Sequence, residues 1–215
     1  MSPRRAKAVA GTTGDPAAAL RAQLVDAAET LLSERRVAAI TTRDIARAAG
    51  VSDGVLYNYF ADKNELLLTA LVRRFTRLVA ELRAALPEPG TGAVEANLRL
   101  LARSLYDLHT VALPIVGSLL AEPELLHRFM AAIHRPDEPL GGKQIRDTVV
   151  AYLAAEQQAG RLAPADPGAA ADLLIGATAT LVFTGHLGPG PPLVERLPAV
   201  VDTLVRGLAP QRRRQ

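Results

Sequence analysis

The sequence lacks cysteine and tryptophan, and it is poor in other aromatic residues. Among its 215 residues, Phe, Trp and Tyr together make up 4%. Without cysteine, the chain has no disulfide, no thiol nucleophile, no zinc finger of the cysteine type and no iron–sulfur cluster. These classes of site are therefore excluded, and the composition fits a reducing compartment.

Long apolar runs are also missing. The longest apolar stretch extends from Leu173 to Phe183. It has 11 residues, among them Gly176 and two threonines. A helix that spans a bilayer needs about 20 apolar residues. The basic N-terminus lacks the apolar stretch of a secretory signal. We therefore expect a cytoplasmic protein without a membrane partner.

The sequence contains none of the short motifs that identify common enzymes. The four histidines, at 109, 127, 134 and 186, do not have the spacing of a metalloprotease site. A Gly-x-Ser-x-Gly elbow and a Gly-x4-Gly-Lys phosphate loop are both absent. We expect no catalytic residues, no metal and no cofactor.

The positive charge lies at the two ends of the chain. There are 25 Lys and Arg against 22 Asp and Glu, a formal net charge of +3. Six of these bases lie in the tails: Arg4, Arg5, Lys7, Arg212, Arg213 and Arg214. Without them, 19 bases face 22 acids, so the body of the chain is formally −3. The surplus is therefore not the signature of a basic nucleic-acid-coating surface.

Helix signals run along the whole body of the chain. Asp15-Pro16 and Asp166-Pro167 pair a capping carboxylate with a proline at the first helical position. Thr41 with Asp44 and Asp62 with Glu65 have the spacing of a capping box. No segment alternates with period two, so an all-α fold is predicted. We expect helices at about 16–35, 41–49, 53–59, 62–86, 92–108, 113–121, 123–133, 142–159, 167–186 and 192–209.

The first three of these helices form a helix-turn-helix pattern. Gly50-Val51-Ser52 joins the second to the third, and so tight a turn fixes the third helix across the second. The N-terminal half of the third helix can then enter a DNA major groove. An ordinary αα-hairpin in a helical protein is the alternative.

The string Thr-Thr-Arg-Asp-Ile-Ala-Arg-Ala-Ala-Gly-Val-Ser-Asp-Gly-Val-Leu-Tyr-Asn-Tyr-Phe at 41–60, followed by Asp-Lys-Asn-Glu-Leu-Leu at 62–67, is specific in order and spacing. It resembles the signature of the TetR family of bacterial transcriptional regulators. The resemblance implies a basic arm at 1–15, a helix-turn-helix DNA-binding domain at 16–67, a helical ligand-binding and dimerisation domain at 68–209, and a basic tail at 210–215. A long fourth helix joins the two domains.

The resemblance also implies DNA contacts. The positions concerned are Thr41, Thr42, Arg43, Ser52, Asp53, Gly54, Val55, Tyr57, Asn58, Tyr59 and Lys63. Hydroxyls and helix N-termini suit phosphates, and a valine methyl suits the thymine methyl. Leu56 and Phe60 are expected in the core, and Tyr59 either packs or enters the groove. Arg43 either contacts a phosphate or only forms part of the solvent-exposed face of its helix.

Asp53 is unusual, because this position is commonly basic or neutral in the family. A carboxylate suits a helix N-terminus but is repelled by phosphate. It therefore either lowers affinity or accepts a hydrogen bond from cytosine. Residues 16–67 hold six bases and seven acids, so we expect binding to depend on few charged contacts. The basic arm is either a minor-groove contact or a solubilising tail.

The remaining expectations concern the C-terminal half. Tyr106, His109, Tyr152 and Thr178 are polar tips in apolar surroundings. They either orient a small-molecule inducer, which the resemblance implies, or are satisfied core or surface residues. The resemblance also implies a homodimer interface formed by the helices at about 167–186 and 192–209; the alternative is that both helices only cover the core. Pro198 predicts a kink or a later start of the last helix.

These features together predict a homodimeric repressor. It would bind a palindromic double-stranded DNA operator and be released by a small-molecule inducer. The alternatives are a helical ligand-binding or scaffold protein whose helix-turn-helix is vestigial, and a small helical enzyme. Activation instead of repression stays open.

Overall fold

The computed structural model describes residues 15–133, 142–163, 165–188 and 193–208. Within these ranges the chain is helical and has no strand, which confirms the predicted all-α class. The basic tail at 210–215, residues 1–14 of the basic arm, and the stretches at 134–141 and 189–192 lie outside the described residues.

Eight α-helices and three short 3₁₀ helices make up the described part of the chain. The α-helices are α1 (Pro16–Glu34), α2 (Thr42–Ala48), α3 (Lys63–Ala85), α4 (Val94–Leu119), α5 (Pro123–Ile133), α6 (Gly142–Gln158), α7 (Pro167–Leu187) and α8 (Leu197–Leu208). The 3₁₀ helices are Val37–Ala39, Asp53–Asn58 and Leu193–Arg196.

The predicted caps begin these helices. The Asp15 carboxylate accepts from the N–H of Ala17, and the Asp166 carboxylate accepts from the N–H of Gly168 at 2.8 Å. The Asp62 carboxylate accepts from the N–H of Glu65 at 2.7 Å. Each bond satisfies an N–H group that the first helical turn leaves without a partner. These local signals are why the observed helix starts agree with the sequence.

The predicted break between residues 108 and 113 is wrong, because α4 continues through Pro114 to Leu119. A proline inside a helix costs about 3 kcal/mol, since it removes one hydrogen bond and crowds the preceding turn. Leu108, Ala112, Ile115 and Leu119, on both sides of the proline, are buried. Burial of this apolar stripe holds the two halves in one helix.

The chain divides into two compact units. One contains the described residues up to Arg74 together with Ser118–Phe129, and the other contains Phe75–Gly117 and the described residues from Met130 onward. The boundary predicted at residue 68 falls inside α3, which passes from the first unit into the second.

Each unit has its own apolar core. In the first, the largest fully buried side chains are Leu24, Ile40, Ile45, Leu56, Leu66, Leu67, Leu71, Leu119 and Phe129. In the second they include Leu98, Leu101, Leu105 and Val149. The helix-turn-helix segment thus rests on a core to which α1, α2, α3 and α5 all contribute.

Helix α7 is long and apolar but only partly buried. By length and composition it is the one helix in the described residues that could cross a bilayer, with a mean hydropathy of 1.4 over 18 residues, of which 33% are buried. The helix, Pro167–Leu187, agrees with the helix predicted at about 167–186 and contains the 11-residue apolar run. Core helices of proteins without membrane spans meet the same criterion.

The last helix starts late, as Pro198 predicted. Leu193–Arg196 is a 3₁₀ helix, and α8 begins at Leu197 with the proline in its first turn. There the missing N–H of proline costs no helical hydrogen bond.

Gly50 provides a test of the turn after α2, because its φ of +67° lies in the left-handed region. We expect Gly50→Ala to lower the free energy of unfolding by about 1–2 kcal/mol, since a Cβ disfavours that backbone region. A built Cβ meets nothing within 4 Å, so crowding adds nothing to the cost. Denaturant unfolding measures the change.

The matched control is Gly117→Ala, at an open position inside α4. That substitution should stabilise by about 0.5–1 kcal/mol, because alanine restricts the unfolded chain and favours helix. Equal effects of the two substitutions would show that the left-handed conformation of Gly50 carries no cost.

Candidate functional site

The start of α2 is closed by a capping box. The Thr41 hydroxyl accepts from the N–H of Asp44 at 3.2 Å, and the Asp44 carboxylate accepts from the N–H of Thr41 at 3.0 Å and from its hydroxyl at 2.6 Å. These bonds hold the pKa of Asp44 below its usual value. Because the Thr41 hydroxyl is engaged here, Thr42 and the first N–H groups of α2 are the better placed donors for a phosphate.

The turn after α2 is a Schellman motif. The N–H of Gly50 donates to the carbonyl of Arg47 at 3.1 Å, and the N–H of Val51 donates to that of Ala46 at 2.9 Å. From α1, the Gln23 amide donates to the carbonyl of Ala49 at 2.6 Å. The turn is therefore fixed both by its own backbone and by a side chain from a third element.

The segment predicted as a third α-helix at 53–59 is a six-residue 3₁₀ helix, Asp53–Asn58. It is held by bonds such as the N–H of Val55 to the carbonyl of Ser52 at 3.0 Å. Leu56 is its one buried side chain. A segment of six residues with one buried side chain forms few α-helical hydrogen bonds. The 3₁₀ conformation is therefore observed in place of the predicted α-helix.

This 3₁₀ helix presents a polar face to solvent. Tyr57 is 59% exposed, and Ser52 caps the helix without a hydrogen bond from its side chain. A Cβ on Gly54 would meet nothing within 4 Å, so the backbone is open to close approach. Leu56 and Phe60 are buried, as predicted. Val55 and Tyr59 are half-buried, whereas Asn58 is exposed.

Lys63 links α3 to the start of α2. Its ammonium donates to the carbonyl of Ile40 at 3.0 Å, immediately before the capping threonine. An ammonium has three N–H donors, so donors remain for a phosphate. A phosphate contact of Lys63 is predicted from the sequence. The bond to Ile40 is not, because no local sequence pattern indicates a contact between residues 23 positions apart.

Ion pairs engage four of the eight arginines in the described part of the first unit. Arg35 lies 3.5 Å from Asp44, and Arg43 lies 3.3 Å from Asp53. Arg73 binds both Asp26 and Glu29, and Arg128 lies 4.0 Å from Asp62. Arg21 instead lies over the ring of Phe60 at 4.7 Å. In this unit, half of the arginines thus have a carboxylate partner.

A helix-turn-helix with a capped α2, a fixed turn and an exposed second helix is the arrangement of helix-turn-helix DNA-binding proteins. Residues 24–70 match the family model of bacterial regulatory proteins of the tetR family. The chain is also 33% identical over 138 residues to the HTH-type transcriptional repressor LfrR of Mycolicibacterium smegmatis, covering 56% of this chain and 69% of that protein. The chain belongs to the TetR family of transcriptional regulators.

Solved structures agree on the fold. A TetR transcription regulator from Haloarcula marismortui superposes with a TM-score of 0.69 at 17% identity, over 89% of this chain and 98% of that one. FadR from Bacillus subtilis, solved in complex with stearoyl-CoA, gives a TM-score of 0.59 at 18% identity, over 87% and 98%. At these identities the likeness shows a shared fold alone.

The four predicted inducer contacts are buried in the second unit, but they form separate groups. The Thr178 hydroxyl lies 3.2 Å from Nδ1 of His109, so this pair joins α7 to α4. The Tyr152 hydroxyl donates to Glu156 at 2.8 Å within α6. Tyr106 is buried on α4. The structure therefore gives two polar pairs and a single tyrosine in apolar surroundings.

Glu156 is a buried carboxylate that was not predicted from the sequence. Its carboxylate is fully buried and lies 2.9 Å from the Arg161 guanidinium. Burial of the Tyr152 hydroxyl, together with its hydrogen bond to Glu156, raises the pKa of Tyr152 to about 12. Glu156 follows Val149, Tyr152 and Leu153 on the buried stripe of α6. That helical spacing could have placed it in the core from sequence alone.

His109 predicts a pH dependence of stability. Burial lowers its pKa to about 4 from an ordinary value of 6.5. Between these values the unfolded chain binds the proton and the folded chain does not, so stability falls as the pH falls. We expect His109→Gln to remove about 1–2 kcal/mol of the loss in unfolding free energy between pH 7 and pH 5.

Denaturant unfolding at the two pH values measures this difference. His127→Gln, at an exposed position on α5, is the matched control and should leave the pH dependence as in the wild type. An unchanged pH dependence in the His109 variant would contradict the assignment.

Proposed function

We propose that this regulator is a homodimeric repressor that binds a palindromic operator and is released by a small-molecule inducer. The observation that carries the proposal is the exposed polar face of the Asp53–Asn58 helix beside the capped start of α2. There Ser52, Tyr57 and Lys63 offer donors at the surface that a DNA backbone would meet. LfrR, a repressor by name, supports repression over activation.

The exposed apolar face of α7 and α8 supports a dimer. Leu173, Phe183 and Leu187 of α7 are each more than half exposed. Beside Leu173, a groove of about 590 Å³ separates α7 from α8 and is lined by small or apolar residues such as Ala169, Ala177 and Val200. A second copy would bury this face through a twofold axis. It would also provide the second recognition helix that a palindrome requires.

We place the inducer in the second unit, against the buried polar groups of α4, α6 and α7. His109 with Thr178, and Tyr152 with Glu156, offer directional contacts inside apolar walls. FadR of Bacillus subtilis, which shares the fold, was solved in complex with stearoyl-CoA, and this supports a ligand-responsive regulator. An inducer would act by preferring the dimer whose recognition helices do not match successive grooves. We further propose that the protein acts in the cytoplasm.

DNA binding is tested by selection from random double-stranded DNA. We expect the wild type to enrich a palindromic sequence with half-sites about one helical turn apart, because the two recognition helices must enter successive major grooves. Binding should weaken as salt rises. Failure to enrich any sequence would favour the ligand-binding or scaffold alternative.

Tyr57→Phe tests the exposed hydroxyl of the Asp53–Asn58 helix, which is the proposed recognition helix. Removing a hydrogen bond to a charged phosphate costs about 1.5–3 kcal/mol, so we expect affinity for the selected duplex to fall about tenfold or more. The loss should be similar for mismatched duplexes, because phosphate contacts carry no sequence information. Fluorescence anisotropy measures both affinities, and equal affinity of variant and wild type would remove Tyr57 from the interface.

Leu173→Glu tests the dimer face. A charge in the middle of a buried apolar contact should shift the protein to monomers, because two carboxylates would lose their solvation at the twofold interface. Leu100→Glu, on an exposed leucine of α4, is the matched control and should remain dimeric. Sedimentation velocity measures both, and a dimeric Leu173→Glu variant would place the interface elsewhere.

A further inference from the structure

Arg43 and Asp53 form an ion pair across the helix-turn-helix turn. Arg43 lies in the first turn of α2, and Asp53 is the first residue of the 3₁₀ helix. The Arg43 Nε atom donates to the Asp53 carboxylate at 3.3 Å. The two side chains are 75% and 58% exposed, so the pair lies on the surface and not in the core.

The pair leaves the end of the arginine free. The Asp53 carboxylate takes only the Nε–H, and within the described ranges neither side chain has another hydrogen bond. A guanidinium carries four further N–H donors on its two terminal nitrogens. These two nitrogens form the planar fork that binds two acceptors at once.

Stability does not account for the pair. Exposed ion pairs contribute little to folding, because water screens the attraction and two long side chains lose freedom. The residues beside it are open as well, since a Cβ on Gly54 would meet nothing within 4 Å. The pair therefore lies where another macromolecule can approach the backbone closely.

The charges of the pair bear on the kind of contact it can make. An unpaired arginine would bind any phosphate, and an unpaired aspartate would repel phosphate. Together they carry no net charge, so the attraction to the DNA backbone is lost while the direction of the donors is retained. Such a group can discriminate between bases without adding much affinity.

We propose that Asp53 is a positioning residue, which holds the guanidinium of Arg43 so that its terminal N–H groups read a guanine edge in the major groove. Guanine presents two acceptors, O6 and N7, at a spacing that the arginine fork matches. This inference rests on the proposed operator binding and names the residue pair that gives it selectivity. It replaces both roles considered for Asp53 alone, which were cytosine contact and simple repulsion.

The experiment is selection from random double-stranded DNA with the full chain and its variants. The wild type should enrich guanine at one position of each half-site. Arg43→Ala should lose that preference, by about tenfold, because one bidentate arginine contact discriminates by roughly 1–3 kcal/mol. Arg47→Ala, on the same helix and without a hydrogen-bonded carboxylate in the described residues, should keep the preference.

Asp53→Asn distinguishes positioning from direct contact. We expect the guanine preference to weaken while affinity for unrelated DNA rises, since the released arginine can then bind phosphate. The slope of log affinity against log salt should steepen by about one. Asp53→Glu should restore much of the preference, because a carboxylate is again within reach.

The double variant Arg43→Ala/Asp53→Asn completes the cycle. Its base preference should equal that of Arg43→Ala alone, because without the arginine Asp53 has nothing to position. Unfolding midpoints of all variants should match the wild type, since both side chains are exposed. Additive losses, or an Asp53→Asn variant that keeps its guanine preference, would overturn the inference while leaving operator binding intact. A wild type that enriches no sequence would overturn both.

Discussion

The left-handed backbone of Gly50 is the constraint on which the helix-turn-helix depends. At a φ of +67° for Gly50 the chain reverses within three residues. The N–H groups of Gly50 and Val51 then donate to the last carbonyls of α2. Only such a tight reversal places the Asp53–Asn58 helix across α2 with Leu56 in the core. The exposed face around Tyr57 follows from that anchor, because the other side chains of the short helix must point away from it.

Side chains from neighbouring helices bind the backbone groups on either side of α2. Gln23 of α1 reaches the carbonyl of Ala49 after it, and Lys63 of α3 reaches the carbonyl of Ile40 before it. Both carbonyls would otherwise lie at helix ends without a partner. The start and the end of α2 are thus each tied by a side chain to a neighbouring helix of the first unit.

The sequence predicted the parts of the structure that depend on local chemistry. Asp15, Thr41, Asp62 and Asp166 cap helices as expected, because a cap needs only a side chain and an N–H two or three residues away. The course of α4 through Pro114 was not predictable, since burial on both sides of the proline outweighs its local preference. The Arg43–Asp53 and Lys63–Ile40 contacts were also not predictable, because these residues meet only after the chain has folded.

The ion pairs of the first unit also bear on how the regulator is distributed in the cell. Because half of the arginines in the described part of this unit are matched by its own carboxylates, we expect contact with non-operator DNA to release few counterions. A bacterial chromosome offers millions of such competing sites. On the proposed function, less of the regulator would then be held on the bulk chromosome, and a small number of copies would suffice to occupy the proposed operator.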